Sequence, residues 1–175
     1  MNEYKILISG TTGSGKTTAI GVVSDSLPIV TDVKNTDPTV SKLLTTVGLD
    51  FGLVELESGN RLRLFGTPGQ DRFDFLWKIL AKNALGLIIL IDNSRPKPLE
   101  DLEKYLNGFS EFLGNTPCVI GVGRLPECPD PDVDAYADFL FNRQCLVPVV
   151  PVDVRQRDDV LMLIDILLTQ IEADL

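Results

Sequence analysis

Gly10-Thr11-Thr12-Gly13-Ser14-Gly15-Lys16-Thr17 sets glycines, a lysine and a hydroxyl at the spacing G-x-x-x-x-G-K-[ST]. Glycines let a main chain curl until successive N–H groups point inward, a nest for an anion. A helix beginning near Lys16 aims its positive end at the same place. Lys16 would then neutralise the outer phosphates of a nucleotide, and the Thr17 hydroxyl would ligate Mg²⁺. Thr18 follows on the same turn and is counted with the loop.

Composition removes most other chemistry. The 175 residues contain no histidine, so Ser-His-Asp triads, Cys-His dyads and His-based zinc sites are excluded. Cys118, Cys128 and Cys145 show no C-x-x-C pairing and read as reduced thiols of a cytoplasmic protein. The net charge of −9 lies wholly in the second half: residues 1–85 carry nine basic and nine acidic side chains, residues 86–175 seven and sixteen. With no basic stripe, nucleic acid is not an expected partner. The longest apolar run, Ala84 to Ile91, is too short to enter and cross a bilayer, and no lipidation signal stands at either end.

Stepping outward from the loop, short apolar runs alternate with amphipathic stretches, the pattern of a layered α/β domain covering 1–175. Strands are expected at Tyr4–Ser9, Asp50–Glu57, Arg61–Phe65, Gly86–Asp92, Pro117–Gly123 and Val147–Val152. Ser58-Gly59-Asn60 turns the second strand into the third. Phe51, Leu53 and Glu55 share one face of the second strand. Helices are expected at Lys16–Ser26, Asp71–Asn83, Pro98–Leu113, Asp132–Arg143 and Asp158–Ala173, while residues 29–45 are loop. The fold class is therefore a P-loop NTPase: three layers, doubly wound, with six mostly parallel strands, one antiparallel edge strand and about five helices.

Two further segments lie where a nucleotide switch needs them. Thr45-Thr46-Val47-Gly48-Leu49-Asp50-Phe51 leads into the second strand, and Phe65-Gly66-Thr67-Pro68-Gly69-Gln70-Asp71-Arg72-Phe73 leaves the third. With the loop, they resemble Ras-superfamily small GTPases. TTVGLDF resembles the Rab-type lead-in, and GTPGQDRF the switch II element. The nearest resemblance is to the bacterial MglA-like branch, and it covers the first 95 residues well and the rest by layout. It implies GTP/GDP and Mg²⁺ as cofactors, Thr46 reaching the metal and γ-phosphate, the Gly69 N–H sensing that phosphate, and Gln70 orienting the attacking water. It also implies a Roadblock-type regulator, with an effector that is not specified. Each residue has a plainer alternative: a threonine before a strand, turn chemistry, a solvated helix start. Phe73, Phe75, Leu76 and Trp77 follow directly; core packing accounts for at least two, and a partner would dock on an apolar surface exposed by switching.

Three departures from the family pattern matter. Gly66 stands where the family has an aspartate that holds Mg²⁺ through water; Asp92, at the end of the fourth strand, is a candidate substitute or else caps its loop. The base-reading N-K-x-D is replaced by Gly123-Arg124-Leu125-Pro126. After the sixth strand the chain reads Asp153-Val154-Arg155, where Asp153 offers a carboxylate to the base or pairs with Arg155, and Arg124 or Arg155 offers a stacking cation. Guanine is preferred over adenine on the switch resemblance alone. Arg72 and Arg95 are each candidates to supply charge at a transition state, or else ordinary surface arginines, and the sequence does not choose between them. The acidic stretch Glu127, Asp130, Asp132 and Asp134 reads as a solvated loop. The leading expectation is a slowly hydrolysing GTP switch. The alternatives are an ATP-binding or hydrolysis-deficient interaction module and a small-molecule kinase, the last disfavoured because Ser94-Arg95-Pro96-Lys97-Pro98 leaves little room for a lid.

Overall fold

A computed structural model describes residues 2–25, 49–70 and 74–173. Continuous apolar runs become strands buried on both faces: β1 (Glu3–Gly10), β3 (Arg61–Gly66), β4 (Gly86–Asp92) and β5 (Cys118–Gly123). β2 (Phe51–Glu55) and β6 (Val149–Pro151) complete the sheet, in the order β2-β3-β1-β4-β5-β6. β2 runs antiparallel to β3 from Phe51↔Phe65 to Glu55↔Arg61, and the other four pairings are parallel. The expected six-stranded sheet with one antiparallel edge is what forms.

Six helices stand among the described residues: α1 (Lys16–Val23), α2 (Phe75–Ala81), α3 (Pro98–Gly108), α4 (Ser110–Leu113), α5 (Val133–Asn142) and α6 (Arg157–Ala173). Strand alternation sends Ile6 and Ile8 to one face and Leu7 to the other. Ile6, Ile8, Ile88 and Leu90 pack with Ala19, Ile20 and Val23 of α1 and Val160, Leu163 and Leu167 of α6. Leu7, Ile89 and Ile91 pack with Leu76, Trp77 and Leu80 of α2, Leu102 and Tyr105 of α3, and Tyr136 and Leu140 of α5. Each leucine so buried contributes about 1.5–3 kcal/mol.

The differences from the sequence reading are local. The helix expected over 98–113 divides at Phe109 (φ −103°, ψ 11°). Trp77 stacks on Tyr105 at 4.6 Å and on Phe109 at 5.3 Å, and a Cβ on Gly108 would lie 2.6 Å from its ring. The helix yields at its weakest former to seat the indole. α1 ends at Val23, where Ser24 turns to β2: its hydroxyl accepts from the Leu53 N–H at 3.1 Å. On β2 the face fully buried is Gly52 and Val54, while Phe51 and Leu53 are half-buried. No helix of the described residues is long and apolar enough to cross a membrane.

Candidate nucleotide-binding site

The loop between β1 and α1 is held by a Ser14 N–H to Thr11 carbonyl bond of 3.1 Å. Gly15 caps α1 at φ 97°, in the left-handed region. A Cβ there would also meet Val154 Cγ2 at 2.5 Å. No side chain caps α1 and no acid sits in its first turn, so its leading N–H groups stay available to an anion. Lys16, only 7% exposed, donates to the Gly10 carbonyl at 2.7 Å and the Thr11 carbonyl at 2.8 Å. Burial pulls its ammonium down to about 8, against the opposing pull of the Asp50 carboxylate. The Thr11 and Ser14 hydroxyls are buried with no hydrogen-bond partner among the described residues. Such groups cost about 1–3 kcal/mol each. A phosphate in the loop would relieve that cost, so these residues fit the group.

The loop opens onto a cleft of about 1080 Å³, lined by residues 13–18, Asp92 and Ser94 beyond β4, residues 122–127 beyond β5, and residues 151–155 beyond β6. That volume suits a nucleotide-sized ligand. Arg124, at φ 63°, ties three elements together. It pairs with Asp92 at 3.1 Å, donates to Ser94 Oγ at 3.2 Å, and reaches the Gly13 carbonyl at 3.4 Å. Asp92 also accepts from the Ser94 N–H at 3.0 Å and hydroxyl at 2.6 Å. Beneath them the buried Asn93 amide donates to the Cys128 and Pro131 carbonyls at 2.6 and 2.9 Å. The Tyr136 hydroxyl donates to Asn93 Oδ1 at 2.5 Å, and burial pushes that phenol's pKa up. Asp132 accepts from the Ala135 N–H and caps α5, so one carboxylate of the acidic loop has a structural task.

Asp153 is engaged by Arg155 through bonds of 2.8 and 2.7 Å, which hold its carboxyl down to about 2. Of the two readings of Asp153, the ion pair is present; Val154 packs beside Gly15. On the other side of the loop, Gly69 lies so close that a Cβ would stand 2.5 Å from the Thr12 nitrogen. Gln70 follows it, exposed. Thr46, Arg72 and Phe73 lie outside the described residues. Leu76 and Trp77 are core, whereas Phe75 is 61% exposed. Arg95 donates to Asp101.

The carboxylate bonded to the Thr17 hydroxyl is Asp50, at 2.6 Å, a residue to which the sequence reading gave no role. Among the described residues no group of three acidic or cysteine side chains could hold a metal unaided. That suits Mg²⁺, which takes one or two protein groups together with phosphate oxygens. Thr17, with an acid beside it, fits such a site.

A six-stranded, mostly parallel sheet whose first strand runs through GxxxxGKT into a helix is the fold of a P-loop NTPase. No protein-family model matches the chain. It is 25% identical over 182 residues to the Ras-related protein RabC of Dictyostelium discoideum, across 97% of this chain and 84% of that one. It is 27% identical to Ras-related protein Rab-18-B of Danio rerio, across 91% and 75% respectively. It is also 30% identical over 111 residues to Ras-related protein Rab-10 of Diplobatis ommata, but that match spans 62% of this chain and 50% of the relative. The chain likewise spans about half the length of Ras-related protein Rab-12 of Mus musculus, 49%. These distant homologies support the small Ras-like GTPase superfamily.

Proposed function

We propose that the chain is a nucleotide-dependent switch of the bacterial MglA-like kind, which binds GTP with Mg²⁺, hydrolyses it slowly and signals through segments near 40–50 and 66–77. The observation that carries this reading is Gly69 seated on the main chain of Thr12. It couples the loop that would grip the phosphates to the segment running through Gln70 into α2. Loop residues 10–18 bind the phosphate chain, Lys16 balances its charge, and Thr17 and Thr46 offer hydroxyls to the metal. Mg²⁺ would offset negative charge on the phosphate oxygens. The Gly69 N–H donates to the γ-phosphate. The Gln70 amide accepts from water and donates to phosphate oxygen, which orients the attack. Loss of the γ-phosphate frees both segments and changes partner affinity. A Roadblock-type regulator and a cytoplasmic setting accompany this reading.

The Asp153–Arg155 pair and Pro126 favour keeping adenine as the second reading for the base, because the carboxylate offered to guanine is already engaged. The test is to denature purified protein and identify the nucleotide released, then titrate GDP and ADP separately by calorimetry. Guanine nucleotide in the pool, with GDP the tighter ligand, is expected. ADP binding tighter than GDP overturns the guanine assignment, and binding of neither overturns the switch. Single-turnover assays with excess protein separate slow hydrolysis from a locked module, which would release no phosphate over hours.

A further inference from the structure

We propose that Asn93 and Tyr136 are a positioning pair that sets the preference of the site for one purine over the other, by holding the loop between β5 and α5 that walls the far end of the cleft. This rests on the nucleotide-switch reading above. Residues 122–127 line the cleft, and the chain then runs to the α5 cap at Asp132 by way of Pro126, Pro129 and Pro131. Each proline lacks an N–H, so such a loop has few donors with which to fasten itself. It must be held through its carbonyls. The end of β4 does this from two sides. Asp92 pairs with Arg124 where the loop begins. Asn93, next along and 2% exposed, grips the other end: its amide donates to the Cys128 carbonyl at 2.6 Å and the Pro131 carbonyl at 2.9 Å.

The chemistry of the amide fixes what Tyr136 does. Carbonyls only accept, so the Asn93 nitrogen must face the loop and its oxygen must face away from it. That oxygen accepts from the Tyr136 hydroxyl at 2.5 Å, one turn into α5. Burial, with the Asp101 and Asp92 carboxylates nearby, keeps the phenol protonated and therefore a donor. Neither Asn93 nor Tyr136 lines the cleft. The pair acts through the loop, at the opposite end from the groups of residues 10–18 that would meet the phosphates. On that side of the base the loop is the wall left to read it, because Asp153 is engaged by Arg155. A fixed loop offers its contacts ready-made. A loose one must be ordered by the ligand, and the purine that fits it best then loses the most affinity.

The experiment titrates GDP and ADP separately, by calorimetry, into the parent and into Tyr136→Phe, which keeps the buried ring and deletes the hydroxyl. The ratio of the two dissociation constants cancels the shared phosphate contacts. It also cancels any loss of folded protein, which weakens both nucleotides alike. The expected result is a ratio that moves about tenfold towards one, whichever purine the parent favours. A ratio within about twofold of the parent's, with both nucleotides weakened together or neither weakened, overturns the proposal alone. A parent that does not discriminate between the two overturns it as well. A parent that binds neither overturns the switch reading beneath it. Should Tyr136→Phe fail to fold for want of a partner for the Asn93 oxygen, the double variant Asn93→Leu/Tyr136→Phe, which removes both polar partners, decides. A ratio moved towards one supports the proposal, and a parent-like ratio overturns it.

Discussion

Lys16→Met should abolish nucleotide binding while relieving a cost that the buried ammonium imposes on the nucleotide-free fold. The Lys16 ammonium, 7% exposed, is depressed from 10.5 to about 8. At roughly 1.4 kcal/mol per pH unit, keeping it charged near pH 7 costs the folded state about 3 kcal/mol. The sign follows from the direction of the shift. Between pH 8 and 10.5 the unfolded chain binds more protons than the folded one, so stability rises with pH in that window. By pH 9.5 the cost has fallen by about 2 kcal/mol. Methionine removes it at every pH and forfeits the bonds to the Gly10 and Thr11 carbonyls, worth about 1 kcal/mol each for a neutral amine. Denaturant unfolding of nucleotide-free protein should therefore find Lys16→Met about 1 kcal/mol more stable than the parent at pH 7 and about 1 kcal/mol less stable by pH 9.5, the parent having gained about 2 kcal/mol on it. Nucleotide retention should be lost in the variant. In the parent, a phosphate beside Lys16 restores its proton, so affinity should weaken as pH rises above 8. Parallel stability curves for the two proteins from pH 7 to 9.5, or undiminished nucleotide binding by Lys16→Met, would refute this account of the loop.

Two further outcomes follow from the other side of the site. Gly69→Ala would bring a methyl to 2.5 Å from the Thr12 nitrogen, a main-chain atom with little freedom to retreat; nucleotide retention should survive while single-turnover phosphate release drops at least tenfold. Unchanged release would show that this approach is dispensable. Gln70→Leu should bind nucleotide as the parent does and release phosphate more slowly, because leucine can neither accept from water nor donate to oxygen; equal single-turnover rates would remove Gln70 from catalysis.

The parts of this molecule legible in its sequence are those whose physics is local. A nest of N–H groups needs contiguous residues, so Gly10–Thr17 declares itself, and β4 is found at Gly86–Asp92, as its apolar run requires. The α5 start was legible too, since Asp132 precedes an amphipathic stretch and caps it. What was hidden depends on partners distant in the chain. The break at Phe109 seats an indole from α2 against Gly108, and that glycine by itself does not announce it. Arg124 reads as a cation offered for stacking on the base until its bonds to Asp92 and the Gly13 carbonyl give it a structural task. Asp50 is the instructive case. Its part at Thr17 is not local, yet it was within reach of counting: a hairpin centred on Ser58 pairs position 50 with position 66. A glycine where an acid is expected, faced across that hairpin by an acid with no other task, is a pattern that register exposes and motif spacing does not.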